Sequence, residues 1–442
     1  MLRTPFVILS YEPHGAGSFQ PPPAPGVRHR DRAHAIHRLA DNGLVNDVSF
    51  ASLRTPEGRA LLDEVRGTAP AQELAVATRL RRDHPAELVS AALAQARLRE
   101  RAAAKFGAED AARMFFTPNG VEQSTRTTVA TYRARRLRAL GVSSVADLCC
   151  GIGGDAIALA RTGIRVLAVD RDPLTAAAAR ANAEALGLSA LIEVREADVT
   201  DVDVSSYDAV FVDPARRGGR SGRSAGGRIF DPEAYSPPLS WAVATALKAP
   251  HAALKVAPGI PHEAVPPEAE AEWISDGGDV KEAVLWFGTE PRLVRATLLP
   301  GPRELRGRGL PDPPVRPLGR YLYEPDGAAI RAHLVAEVAD ELDGGLLDAT
   351  IAYVTADELR PCPYATAYEI TDRLPFNVKK LKALLREREV GVLTVKKRGS
   401  AVEPEELRRK VLPKPQGRNA LTVFLTRVAG APTMLLGHPA HA

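Results

Sequence analysis

At 442 residues, with 45% hydrophobic and 25% charged residues and a formal net charge of +4, the chain has the composition of an ordinary globular protein of two or three domains. That balance excludes a wholly disordered, collagen-like or membrane-spanning class. No apolar run approaches the roughly 20 residues of a membrane helix, and the apolar residues 6–9 are too few for a signal-peptide core. The three cysteines, Cys149, Cys150 and Cys362, cannot build a disulfide framework, and no CxxC or His pair stands at ligand spacing. We expect a cytoplasmic protein and assign no metal.

In chain order, residues 1–48 read as a flexible leader, because Pro21-Pro22-Pro23 and scattered glycines offer too little apolar surface to offset ordering entropy. Residues 49–140 form a helical domain. Between 50 and 107, Leu61, Leu62, Val65, Leu74, Leu80, Leu88 and Ala92 recur at helical spacing, which predicts three or four amphipathic helices; a further helix is expected over 122–140. Basic patches such as Arg79, Arg81 and Arg82 read as exposed faces of those helices. Over 141–300 short apolar runs at 145–148, 166–169, 191–194, 209–212, 252–256 and 283–287 alternate with helical segments, the grammar of βαβ units around a largely parallel sheet. A Pro- and Arg-rich linker, 301–319, leads to a small α+β domain at 320–442, with helices at 328–342 and 378–388 and strands at 392–396 and 421–427. The stretch 373–418 holds 14 Lys and Arg against 5 Asp and Glu, a local basic bias that could meet a polyanion.

The chemistry begins at the first predicted strand, Asp147-Leu148-Cys149-Cys150-Gly151-Ile152-Gly153-Gly154-Asp155. Glycines there let backbone amides approach a ligand, and the following helix supplies unpaired N–H groups at its start. About twenty residues on, Asp170 ends a second buried strand, where a nucleoside ribose can be held by its two hydroxyls. Asp198 follows the third strand, and Asp213-Pro214-Ala215-Arg216-Arg217 follows the fourth. Acids at successive strand ends mark a crevice site that fits a dinucleotide or S-adenosylmethionine.

At these residues the chain resembles the class I S-adenosylmethionine-dependent methyltransferases, over about 115–299. The resemblance implies a Rossmann-like α/β sheet, with Asp147, Gly151 and Gly153 along the methionine part of the cofactor, Asp170 at its ribose and Asp198 at its adenine. Cys149 stands where many members carry glycine. The form Asp-x-x-Cys-Gly-x-Gly-Gly is similar to the first motif of trimethylguanosine synthase-type RNA methyltransferases, and 117–123 resembles their upstream segment that closes over the cofactor. In enzymes that methylate exocyclic amines, an Asp or Asn followed by Pro-Pro and an aromatic residue positions the amine. Asp213 and Pro214 match that motif and are the expected catalytic pair, whereas Ala215 and Arg216 depart from it. Asp-Pro-x-Arg is also similar to uracil-carbon methyltransferases, which need a cysteine after the fifth strand; residues 254–259 hold none, so direct transfer is expected. Cys149 and Cys150 read as packing residues.

From about residue 320 the chain resembles the THUMP-like domains found downstream of such methyltransferase domains in actinobacterial proteins. The residues that carry this are 320–325, Leu374-Pro375-Phe376 and Thr394-Val395-Lys396-Lys397-Arg398-Gly399. The resemblance implies RNA as a partner. Lys396, Lys397 and Arg398, with Arg216 and Arg217, are the candidate phosphate contacts. The expected function is S-adenosylmethionine-dependent methylation of an RNA base nitrogen. A methyltransferase of a small molecule or protein, and a catalytically weak nucleic-acid-binding protein, are the alternatives.

Overall fold

A computed structural model describes residues 47–215, 231–412 and 417–441. It divides into two units, one of residues 47–270 with 284–292 and one of residues 271–283 with 293–441.

The first unit opens with helices α1 (Asp47–Leu53), α2 (Pro56–Glu64), α3 (Glu73–Leu80) and α4 (Ala86–Phe106), where the apolar spacing predicts three or four. Leu53, Leu61, Leu80 and Leu88 are buried. Thr55 starts α2 by accepting a hydrogen bond from Gly58 N–H, and Pro56 fits the first helical position. After α5 (Ala108–Arg113) the single helix expected over 122–140 is instead two, α6 (Pro118–Gln123) and α7 (Thr127–Ala139). Thr117 caps α6 through Gly120 N–H, which starts it early, and extended backbone at Ser124 and Arg126 breaks the run.

Strands β1 (Ser144–Leu148), β2 (Arg165–Asp170), β3 (Ile192–Glu196), β4 (Ala209–Val212) and β5 (His251–Val256) alternate with α8 (Gly154–Arg161), α9 (Pro173–Ala185) and α10 (Leu239–Ala246). The strands lie in the order β3-β2-β1-β4-β5, and every neighbouring pair is parallel. Val145, Ala146, Leu148, Val166 to Val169 and all of β4 are buried, the apolar runs a parallel sheet requires. From β1 the chain winds one way to β2 and β3, and from β4 the other way to β5. The reversal between β1 and β4 opens a crevice beyond their carboxyl ends, where doubly wound sheets hold ligands.

In the second unit β6 (Glu270–Asp276) is followed by β7 (Asp279–Phe287), whose residues are divided between the units. β6 runs parallel to β8 (Val294–Leu299), and β9 (Arg303–Arg306) antiparallel to β8. Beyond them lie β10 (Tyr321–Pro325), α11 (Gly327–Arg331), α12 (Val335–Glu341), β11 (Gly345–Asp348), β12 (Ile351–Ala356), β13 (Ala365–Pro375), α13 (Val378–Glu387), β14 (Val390–Lys397), α14 (Pro404–Val411), β15 (Asn419–Val428) and β16 (Ala431–Pro439). The helix expected over 328–342 is broken at His333, which takes a left-handed φ of 58°. A seven-stranded sheet runs β11-β12-β10-β13-β16-β15-β14. Leu381 and Leu385 of α13 and Leu407 and Val411 of α14, each pair one helical turn apart, bury against Leu421, Val423 and Leu425 of β15. Tyr353, Tyr368 and Phe424 form a separate aromatic cluster with Leu322 and Leu435.

No helix among the described residues is long and apolar enough to cross a membrane.

Candidate active site

The turn between β1 and α8 is built from left-handed backbone: Cys149, Gly151 and Gly153 have φ of 66°, 58° and 86°. Glycine adopts this region without steric cost, whereas Cys149 does not. Cys150 N–H donates to Val169 O at 2.9 Å, tying the turn to the end of β2. There Asp170 accepts from Gly151 N–H through one carboxylate oxygen and from Asp172 N–H through the other, both at 3.0 Å. Burial pushes the Asp170 carboxyl up, and these two hydrogen bonds oppose that rise.

Asp147 lies at the base of the turn with 0% of its surface exposed, and among the described residues neither of its carboxylate oxygens has a hydrogen-bond partner. Burial, reinforced by Asp155 and Asp213, pushes its carboxyl well above the usual carboxylate range. An orphaned buried acid beside a glycine turn is what a cationic ligand would satisfy. Asp198 is half-buried after β3, where it caps the short turn at 199–201 by accepting from Thr200 N–H at 3.0 Å and Thr200 Oγ1–H at 2.8 Å. These bonds hold its carboxyl below the usual range.

Asp213 follows β4 directly across the crevice, its N–H donating to Leu148 O at 3.2 Å. Lys255 Nζ donates to its Oδ2 at 2.6 Å and to Thr125 Oγ1 at 2.9 Å. Thr125 Oγ1 also accepts from Arg133 at 3.4 Å and donates to Asp155 Oδ2 at 3.2 Å, and Arg133 pairs with Asp155. Past Pro214, Ala215 exchanges two backbone hydrogen bonds with Ser236, at 2.9 and 3.0 Å. Arg216 and Arg217 lie outside the described residues.

Two buried amides hold the segment upstream of α6. Gln95 of α4 bonds both the N–H and the carbonyl of Phe116, at 2.8 and 3.0 Å. Asn182 of α9 does the same for Phe115, at 2.6 and 3.1 Å, and reaches Ile152 O of the glycine turn at 2.9 Å. A Cβ on Gly120 would sit 2.5 Å from an Ile152 methyl, so only glycine lets α6 close on the turn.

Asp147, Gly151, Gly153, Asp170, Asp198, Asp213 and Pro214 thus all lie at the carboxyl ends of adjacent parallel strands. Lys255, Thr125, Gln95 and Asn182 were not singled out from sequence. Each left a trace: a lone lysine in the buried strand His251–Val256, and single amides within the Ala-rich helices α4 and α9.

In the second unit Lys396 and Arg398 both pair with Glu324, the latter at 3.5 Å, and Lys397 pairs with Glu403 at 2.5 Å. A phosphate at these three cations would compete with carboxylates already in place.

Family models for a methyltransferase domain, a THUMP-like domain and a domain of unknown function match residues 145–215, 365–439 and 48–102. Two uncharacterized S-adenosylmethionine-dependent methyltransferases of Mycobacterium tuberculosis, from strains CDC 1551 and H37Rv, are each 34% identical over 342 residues, covering 75% of this chain and 90% of theirs. The chain belongs to the S-adenosylmethionine-dependent methyltransferases. The crystal structure of a presumed methyltransferase from Porphyromonas gingivalis W83 superposes with a TM-score of 0.67 at 21% identity, covering 84% of this chain and 99% of that one, a likeness of fold. The methyltransferase is of class I, with a THUMP-like C-terminal region, and S-adenosylmethionine is its cofactor. The residues present fit that group: an unpartnered buried acid, left-handed glycines and an aspartate at the end of β2 stand where a nucleoside and a cationic amino acid would be held.

Proposed function

We propose that the methyltransferase modifies RNA at a base nitrogen by direct in-line transfer, with Asp213 and Pro214 at the reacting centre. Asp147, Gly151 and Gly153 would hold the methionine part of the cofactor, Asp170 its ribose and Asp198 its adenine. When bound, the cofactor supplies an activated methyl group, so the chain's own task is alignment more than acid–base chemistry.

One observation carries the reading. Asp213 stands at the switch point with Oδ2 fixed by Lys255, while its other oxygen has no hydrogen-bond partner among the described residues. That oxygen can accept a hydrogen bond from an acceptor amine and then the amine's proton as the methyl is transferred, and Pro214 restricts the backbone that follows. The THUMP-like region supports RNA as the substrate class. So does α13, where Lys379, Lys380, Lys382 and Arg386 are exposed with no carboxylate partner among the described residues. These cations are better placed to meet phosphates than Lys396, Lys397 and Arg398. A cytoplasmic location belongs to the same reading and is supported by three free cysteines.

The test is transfer of labelled methyl from S-adenosylmethionine to total RNA, protein and small-molecule fractions from cells lacking the protein. Label is expected in RNA, lost with Asp213→Ala while cofactor binding stays within a few-fold, and Asp170→Ala should weaken that binding. Label in another fraction would overturn the RNA assignment, and transfer by Asp213→Ala would overturn the reacting site.

A further inference from the structure

Lysine is out of place in a parallel strand covered on both faces, because burying an ammonium costs several kcal/mol unless it is paired. Lys255 is nevertheless the fifth of six residues in β5, between Leu254 and Val256, both fully buried. Its side chain is 5% exposed and that of its partner Asp213 is 23% exposed, so the pair spans the boundary between core and crevice. As a source of stability it is weak, since apolar residues of similar volume often serve a core as well. Its position at the reacting carboxylate calls for another reason.

We propose that Lys255 is a positioning residue for methyl transfer: it fixes one oxygen of Asp213, turns the other toward the methyl acceptor, and ties this carboxylate to the break between α6 and α7. The inference rests on the reading of Asp213 as the reacting residue. A carboxylate free to rotate would present either oxygen, and in-line attack tolerates little misalignment. Paired with the Lys255 ammonium, Asp213 presents its other oxygen as a hydrogen-bond acceptor, so the methyl-acceptor atom must carry a hydrogen.

The tie reaches further. Lys255 shares its ammonium with Thr125 in the break, whose hydroxyl also bonds Arg133 of α7 and Asp155 in the first turn of α8. Arg133 in turn stacks over Phe211 of β4, 4.8 Å from ring centre to guanidinium carbon. Two cations and two carboxylates thereby connect the glycine turn, the upstream segment and the end of β4, where the acceptor is aligned.

The experiment uses the full-length chain and whichever fraction takes the methyl label. Lys255→Met and Lys255→Gln should bind S-adenosylhomocysteine, measured by calorimetry, within about threefold of wild type. Both should lose about 10- to 100-fold in kcat with little change in KM for S-adenosylmethionine, and Lys255→Arg should recover most of the loss. In thermal unfolding, Lys255→Met and Asp213→Asn should be non-additive, a coupling that needs no substrate. Should Lys255→Met fail to fold, Lys255→Gln and Thr125→Val carry the kinetic comparison, with Thr125→Val expected to lose a few-fold in kcat. A folded Lys255→Met or Lys255→Gln with wild-type kcat, a loss that tracks S-adenosylhomocysteine affinity, or additive unfolding would overturn the proposal. An inactive Asp213→Ala beside a fully active Lys255→Met would remove only the role of Lys255. An active Asp213→Ala would remove the reading beneath it.

Discussion

Asp147 carries a buried carboxyl that no other group among the described residues satisfies. Burial raises it above the ordinary aspartate value of about 3.9. For a group raised in the folded state, the stability it contributes is complete below the unfolded value and lost as pH rises through the folded one. Asp147→Asn should therefore lose less stability than wild type between acid and neutral pH, measured as the urea midpoint of the cofactor-free protein; parallel curves would refute this. A cationic ligand reverses the preference, so wild-type affinity for S-adenosylmethionine should rise over the same interval. At Cys149 the constraint is steric. A left-handed cysteine costs about 1–2 kcal/mol, and glycine costs about 0.5–1 kcal/mol in chain entropy, so Cys149→Gly should unfold within about 1 kcal/mol of wild type. Cys149→Val, branched at Cβ, should be about 1–3 kcal/mol less stable. A Val variant as stable as wild type would mean that the turn does not need this backbone conformation. Burial also raises the Cys149 and Cys150 thiols, in keeping with packing rather than nucleophilic roles.

Between elements, the two amides Gln95 and Asn182 explain how α4 and α9 hold residues 115–116, with Asn182 also reaching the glycine turn. Gln95 lies in the region matched by the domain of unknown function, so part of that region holds the segment upstream of α6. Replacing either amide with leucine leaves a buried N–H and a buried carbonyl unpaired, at about 1–3 kcal/mol for each group. Asn182→Leu should also weaken S-adenosylhomocysteine binding more than Gln95→Leu does, because only Asn182 reaches Ile152. Equal binding losses in calorimetry would show that the turn is held by the segment as a whole. The helix expected over 122–140 breaks at 124–126 for a related reason. Ser124, Thr125, Thr127 and Thr128 are weak helix formers, and in the break Thr125 bonds Lys255 and Asp155.

For the whole molecule the open question is where a polyanion would bind. Total charge says little, since +4 on 442 residues is nearly balanced. The pairing of individual cations is more informative. Lys396 and Lys397 are engaged by Glu324 and Glu403, whereas Lys379, Lys380 and Lys382 are exposed with no such partner among the described residues. Lys379→Glu with Lys380→Glu should reduce the salt dependence of RNA binding by about one in slope for each phosphate that is no longer neutralised. Lys396→Glu should instead lower stability, since it sets a second carboxylate against Glu324. The reverse pattern, in filter binding at several salt concentrations, would return the phosphate-binding role to 396–398.

The class of fold was legible because it rests on short-range grammar. Apolar runs of four to six residues alternating with helices can pack only as a largely parallel layered sheet, and left-handed glycines followed by a helix start mark the turn at its switch point. The aspartates at strand ends were legible for the same reason: a strand end is a position in the chain before it is a place in space. Lys255 was not, because its meaning depends on Asp213, 42 residues away, and on Thr125, 130 residues away. Nor could sequence distinguish Lys396, whose partner Glu324 lies 72 residues away, from the α13 cations that have no carboxylate partner among the described residues. Residue type and spacing thus determined the sheet and the glycine turn. Which charges are neutralised, and which remain to meet a substrate, was decided by tertiary contacts alone, because electrostatic energy depends on distance in space and on burial.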